Sequence, residues 1–449
     1  PITRENTGFV ADGDGEIVEY AVKMRQLPDD ASLLRKLQRK AVDSSDIKNL
    51  ARILARFYEN TARSPEIDAI GSWETVRYNC EENFRQSEPF VGDPLDGKMF
   101  AIVRAATRAF LRRNRGLFQR RVENGKIRDC HGDLRCGHVY FTENAISVID
   151  CIEFNDRFRF GDVASDLAFL AMDLDYEGFG GISGELIDAY VRRAADEDAF
   201  TLLEFYKCYR AMVRAKVACL RVREIDPSQY AYRKTQREAR RLLELAYRYA
   251  VAFNRPTIWV VCGLPATGKS TLAAALAEAL KCRVLRSDVI RKKQFAVDPG
   301  ETVEADFETG IYSRDATALT YGKLTLLAQE EISAGKPVIL DATFGRRDQR
   351  LEITRLARDC DADYIFVECR APLKVLEERL RRREHEKGIS DARLRHLEQI
   401  RDRSEALEDI ADEHRITVDT QASLEKNLYR ILKHDYAHLS REISQKMGF

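Results

Sequence analysis

Gly263-Leu264-Pro265-Ala266-Thr267-Gly268-Lys269-Ser270 decides how the C-terminal part of this chain folds. The octapeptide fits G-x-x-x-x-G-K-[ST]. An apolar run, Thr257–Cys262, precedes it, and an alanine-rich helical stretch, Lys269–Leu280, follows. Glycines at both ends let the backbone curl so that its N–H groups face one point, and the helix N-terminus adds its dipole there. Such a loop accepts phosphate. Gly263, Pro265, Ala266, Thr267, Gly268, Lys269, Ser270 and Thr271 are therefore the expected contacts of a nucleotide, ATP or GTP, with ATP taken as the cofactor. Lys269 is placed to reach the β- and γ-phosphates and Ser270 to hold Mg²⁺.

Downstream, strand-like segments recur at Arg283–Arg286, Pro337–Leu340, Tyr364–Glu368 and Arg415–Val418, with helical stretches between them. That alternation predicts a parallel sheet covered by helices. The second strand runs into Arg286-Ser287-Asp288, with Arg291 one turn on. Asp288 is either a helix N-cap or a carboxylate that takes the proton of a substrate hydroxyl, with Arg291 gripping the substrate. Asp341 ends the third strand. It is either a turn residue or an acid that shares Mg²⁺ with Ser270. Arg379, Arg382 and Arg383 lead into the polar segment Glu384–Ser390. Arg379 and Arg383 share a helix face, either as solvated charge or as lid arginines that stabilise a transferring phosphoryl group. In their order these motifs over 257–420 resemble P-loop kinases of the zeta-toxin, gluconate-kinase and polynucleotide 5′-kinase group. The resemblance implies ATP-dependent phosphorylation of a hydroxyl.

Upstream lies a second constellation. Cys130-His131-Gly132-Asp133-Leu134-Arg135-Cys136-Gly137-His138 is a loop before a short hairpin, Val139–Phe141 and Ile146–Ile152, which contains Asp150. Two acids flanking one hairpin can converge on one site, Asp133 orienting a hydroxyl and Asp150 holding Mg²⁺; each can also be a plain turn residue. Gly161-Asp162-Val163-Ala164-Ser165-Asp166-Leu167-Ala168 then opens a helix capped by Asp162. This stretch resembles the aminoglycoside phosphotransferase and choline kinase group, of protein-kinase-like fold. The resemblance makes Asp133 the catalytic acid, Asp150 a metal ligand and Asp166 a brace for the loop. It puts His138 where that group has an asparagine metal ligand, an exchange that weakens Mg²⁺ binding. Tyr20–Met24 reads as a hinge strand, or as the strand that carries a kinase lysine, Lys23. The chain opens on Pro1, in what reads as a hairpin (Thr7–Val10 and Ile17–Met24), so the N-lobe is expected to be truncated.

The expected architecture is thus α/β and α+β. A protein-kinase-like aminoglycoside phosphotransferase C-lobe occupies residues 1–253 and a P-loop NTPase kinase domain occupies 254–449, a tandem that itself resembles a bacterial bifunctional family. Length and composition agree: 449 residues suit two or three domains, and 44% hydrophobic content is too high for disorder. Lys plus Arg and Asp plus Glu both total 73. Zero net charge disfavours a polynucleotide acceptor and favours a small hydroxyl acceptor. No apolar run is long enough to span a bilayer and no leader is visible, so a cytoplasmic location is expected. The ten scattered cysteines are expected as thiols. The Cys130–Cys151 group matches no common zinc spacing, and His385, His396, His414, His434 and His438 read as surface or helix residues. The arginine-rich Leu111–Arg121 and the acidic run Asp173, Asp175, Glu177 read as solvated. A regulatory ATP switch with a pseudokinase first half, and a polynucleotide 5′-end kinase, are the competing functions.

Overall fold

The computed structural model describes residues 1–449 apart from 6–7, 25, 143–144, 299–308, 384–393 and 448–449. The described chain divides into two compact units. The smaller comprises Pro1–Val42 and Cys136–Ile149, the larger Asp43–Arg135 and Asp150–Phe449.

In the smaller unit three short antiparallel strands, Ile2–Glu5, Gly8–Ala11 and Glu16–Glu19, form a sheet with the first strand in the centre. Ser32 caps the helix Leu33–Gln38, whose Leu33 and Leu37 are buried, and Lys36 lies over the Phe141 ring. The expected hairpin pairs Val139–Phe141 with Ile146–Val148, its second strand ending short of Ile152. The strand expected over Ile17–Met24 stops at Glu19. Tyr20, Val22 and Met24 are exposed, so Lys23 lies on neither a hinge strand nor a kinase lysine strand. Alternation of residue types cannot hold a strand that finds no neighbour among the described residues to pair its backbone with.

The larger unit begins with helices. Ser44–Asn60 is capped by Asp43 and Asp46 in a reciprocal box. Val163–Tyr176 is buried around nearly its whole circumference and forms the centre of the helical core. Against it pack Gly180–Ala194 and Asp198–Val222, and Tyr230–Asn254 packs in turn on Asp198–Val222. Two charged runs expected to be solvated are so only in part: Arg112 and Arg115 are exposed, but other members turn inward. Arg121 is buried between Asp162 and Asp196, donating to Asp162 at 3.0 and 2.7 Å. Asp173 pairs with Arg214, and Asp175 accepts from the buried Lys207 and from Tyr249. Each charge faces inward because its helix is packed on several sides, and a pre-oriented opposite charge offsets the desolvation.

After Pro256 the chain enters a five-stranded parallel sheet: Thr257–Cys262, Arg283–Arg286, Val338–Asp341, Asp363–Arg370 and Arg415–Asp419. In chain order these five strands lie fifth, fourth, first, third, second across the sheet. The first strand is central and buried on both sides, as its unbroken apolar run requires. The chain leaves it between two strands reached in opposite directions, a switch point where a crevice opens at the strands' carboxyl ends. The final helix, Leu424–Met447, packs against both the sheet side and the helices Gly180–Ala194, Asp198–Val222 and Tyr230–Asn254. Among the described residues no helix is long and apolar enough to cross a membrane.

Arg121→Ala strands two buried carboxylates. Its unfolding free energy, read by urea titration, should fall by about 3–5 kcal/mol.

Candidate functional site

The loop 263–268 lies at the switch point. Gly263 has φ +131°, and a Cβ there would stand 2.4 Å from the carbonyl oxygen of Cys369 on the fourth strand. Its N–H donates to Thr343 O at 3.2 Å, beyond the third strand. Gly268, at φ +87°, starts the helix Lys269–Leu280. Both glycines are therefore required by backbone geometry. Thr267 Oγ1 donates to Leu264 O at 2.7 Å and Lys269 Nζ donates to the same oxygen at 2.8 Å. Pro265, Ala266 and Thr267 are buried while Ser270 and Thr271 are exposed on the first helical turn.

Three carboxyl-end residues gather beside the loop. Asp341, buried at the end of the third strand, accepts from Arg286 Nε at 3.2 Å, and Arg286 Nη2 reaches Ser270 Oγ at 3.3 Å. The hydroxyl and the carboxylate expected to share a cation thus flank one guanidinium. Asp288 does not cap its helix, Ser287–Gln294. Its carboxyl is partly buried and held above the ordinary carboxylate range by that burial, against the lowering charge of Lys269 and with Asp341 adding to the rise. Burial also lowers Lys269, while Asp341 and Asp288 oppose that shift. Lys269 and Asp288 thus feel each other's charge and that of Asp341.

Arg291 is buried. Its Nη1 donates to Ile311 O at 2.8 Å and Thr317 Oγ1 at 3.2 Å, and its guanidinium lies 4.9 Å from the centre of the Tyr312 ring. Arg379 donates to Ala266 O at 3.1 Å, to Thr420 Oγ1 at 3.2 Å and to Thr420 O at 3.1 Å. It thereby ties the phosphate loop to the chain after the fifth strand. The side chain of Arg383 and the segment Glu384–Ser390 lie outside the described residues.

In the helical half Asp166 braces the loop at 131–133. Its carboxylate accepts from His131 N at 3.0 Å, Gly132 N at 2.9 Å and Tyr58 Oη at 2.9 Å. Asp162 caps the helix through Ala164 N at 2.9 Å. Gly132 has φ +83° and a Cβ there would meet Phe158 O at 2.7 Å. Asp133 Oδ2 accepts from Arg135 at 3.1 and 2.8 Å. Carboxylate oxygens of Asp133 and Asp150 lie within 4.8 Å of each other, with Asp150 at φ +64°. His138 sits on the turn Cys136–His138 of the smaller unit.

Sequence reasoning passed over Arg286, although a signal existed: in the parallel register Arg286 is the neighbour of Asp341 at the strand ends. His414 and His438, expected as surface or helix residues, both converge on buried Asp363, His438 from the final helix. His385 lies outside the described residues.

A parallel-sheet P-loop core with this loop, following a lobe with a braced His-Gly-Asp loop, defines a kinase, that is, a phosphotransferase. The description "Phosphotransferase enzyme family" matches residues 26–205 and "AAA domain" matches residues 258–407. The Mycobacterium tuberculosis protein Rv2004c is 30% identical over 373 residues, which cover 83% of this chain and 73% of that one. The chain belongs to the family of Rv2004c, here with an aminoglycoside-phosphotransferase-type segment in tandem with a P-loop kinase. A gluconokinase structure from Sinorhizobium meliloti is 18% identical, covering 43% of this chain and 97% of its own, with a TM-score of 0.29. The Mycobacterium tuberculosis APS kinase structure is 19% identical, covering 40% and 97%, with a TM-score of 0.30.

Gly263→Ala forces the loop away from Cys369. Equilibrium binding of a fluorescent ATP analogue should weaken at least tenfold while far-ultraviolet circular dichroism keeps the parent helix content.

Proposed function

We propose that the P-loop half transfers the γ-phosphoryl group of ATP, with Mg²⁺, to a hydroxyl of a small molecule. The observation that carries this reading is the pairing of Ser270 and Asp341 across a single cationic group, Arg286. A hydroxyl and a buried carboxylate at one cation's reach are hard oxygen donors, which suit Mg²⁺. Mg²⁺ held by Ser270 and Asp341 would neutralise charge on the β- and γ-phosphates.

The other residues take roles that follow from their chemistry. Backbone N–H groups from Ala266 to Thr271 surround the phosphates, Gly263 and Pro265 shaping the turn, and Lys269 exchanges its bond to Leu264 O for a phosphate oxygen. Asp288 accepts the acceptor's hydroxyl proton; a carboxyl raised by burial is a better base than an ordinary one. Arg291 orients the acceptor. Its Nε is buried with no hydrogen-bond partner among the described residues, and such a donor favours an oxygen-rich ligand. Arg379 positions the loop through Ala266 and Thr420, and Arg383 is carried forward as a lid arginine on its sequence alone. Zero net charge supports a small acceptor over a nucleic acid. Single-strand binding that weakened steeply with salt would support the end-kinase reading instead.

A second reading concerns the helical half, favoured by the approach of Asp133 and Asp150. These two acids would serve a separate phosphoryl transfer. Asp133→Ala measured beside Lys269→Ala apportions the activity.

Lys269→Ala should lower phosphoryl transfer by at least 10³-fold, followed by mass spectrometry of metabolites that gain phosphate; transfer at the parent rate would remove the assignment. Asp288→Asn should keep ATP affinity within about twofold and abolish transfer, whereas a nucleotide switch would tolerate it. The base must be ionised. Its raised pKa therefore makes kcat/KM fall, as pH drops, earlier than an ordinary carboxylate near 3.8 would dictate. A pH profile of the wild type locates that limb.

A further inference from the structure

Asp363 opens the fourth strand, at the end of the sheet opposite the phosphate loop. It is buried, and two imidazoles from distant segments reach it. His438 Nε2, on the final helix, is 2.9 Å from Asp363 Oδ2, and His414 Nδ1, on the turn before the fifth strand, is 3.5 Å from Asp363 Oδ1. One donor atom from each residue lies within 4.8 Å of the other two.

We propose that Asp363, His414 and His438 form a site for a divalent transition metal of the zinc class, distinct from the phosphate-binding site. Three observations support it. The first is spacing. Zinc bonds of about 2.0–2.1 Å in a tetrahedron place neighbouring ligand atoms about 3.3 Å apart. The carboxylate–imidazole separations, 2.9 Å to Oδ2 and 3.5 Å to Oδ1, lie on either side of that value, one on each carboxylate oxygen. The second is orientation. The His414 ring stacks on Tyr364 at 4.2 Å and 19°, and side-chain relative exposures of 19% for His414 and 12% for His438 leave both rings little freedom. The third is donor chemistry. Two imidazoles and one carboxylate suit zinc-class ions, whereas Mg²⁺ prefers oxygen donors alone.

A cavity of about 100 Å³ borders Asp363 and Asp435 of the final helix, on a side that neither histidine lines. Coordination through His414 Nδ1 replaces its 3.0 Å contact with the Tyr364 carbonyl, one hydrogen bond exchanged for a metal bond. The rival is a hydrogen-bonded cluster in which a protonated imidazole supplies the positive charge. The metal would pin the final helix to the sheet, and that same helix reaches the helical half through Tyr436 and Glu442.

The test uses the full chain, treated with EDTA, desalted and titrated with Co²⁺ and then Zn²⁺. One equivalent of Co²⁺ should bind with visible d–d bands of a four-coordinate nitrogen and oxygen site, and Zn²⁺ should displace it. His414→Gln and His438→Gln should each weaken Co²⁺ at least tenfold, and saturating Zn²⁺ should raise the melting temperature of the parent but not of either variant. A wild-type chain without those bands overturns the proposal. So do variants that bind with parent affinity, or thiolate charge-transfer bands showing cysteine ligation.

Discussion

The contact between Gly263 and the Cys369 carbonyl is the constraint on which the P-loop half depends. No side chain fits there, so the loop leaves the central strand hard against its neighbour. That closeness turns the Gly263 N–H toward Thr343 on the other flank and directs the following backbone outward. The loop is thereby held from both sides of the switch point. Thr343 belongs to the segment just after Asp341, and Cys369 and Thr420 lie at the ends of the strands on the opposite flank. Arg379 closes the arrangement by bonding Ala266 and Thr420 together. The sheet order therefore positions the acid, and the glycine sets how near the phosphate loop comes to it.

The helical half solves a similar problem with charge instead of backbone contact. Its His-Gly-Asp loop rests on one buried carboxylate, Asp166, which satisfies two backbone N–H groups and a tyrosine hydroxyl. One turn earlier, Asp162 is at once the cap of the same helix and one partner of buried Arg121. Low local polarity strengthens each of these bonds and makes each costly to leave incomplete. The loop is thereby tied to the helix that carries Asp166.

These differences explain what was legible in the sequence. The strand Thr257–Cys262 could be read to the residue, because a fully buried parallel strand is an unbroken apolar run with turn chemistry at its end. The phosphate loop and the Asp162 cap were legible because local geometry alone dictates them. Arg121, Asp173 and Asp175 were misread as solvated, since the partner that makes a buried charge tolerable comes from a distant stretch of the chain. The same remoteness in sequence hid His414 and His438. Arg286 was hidden differently: its role depends on strand register, which appears only when the third strand is laid beside the second.

The final helix shows how the two kinase segments are joined within the larger unit. Tyr429 and Lys433 meet Asp188, Tyr436 accepts from Lys207 at 2.7 Å, and Glu442 pairs with Arg255 at 3.0 Å. On its other side Asn427 donates to Asp419 O at 2.9 Å and His438 meets Asp363. Lys207 is the demanding member. A fully buried ammonium keeps its charge only while Asp175, Glu204 and Tyr436 all stay in place. Sliding the helix by one turn would remove the tyrosine from that ammonium and break the Lys433 and Glu442 ion pairs in the same movement. The charge pairs and the tyrosine contact therefore all favour one register of the final helix against its neighbours.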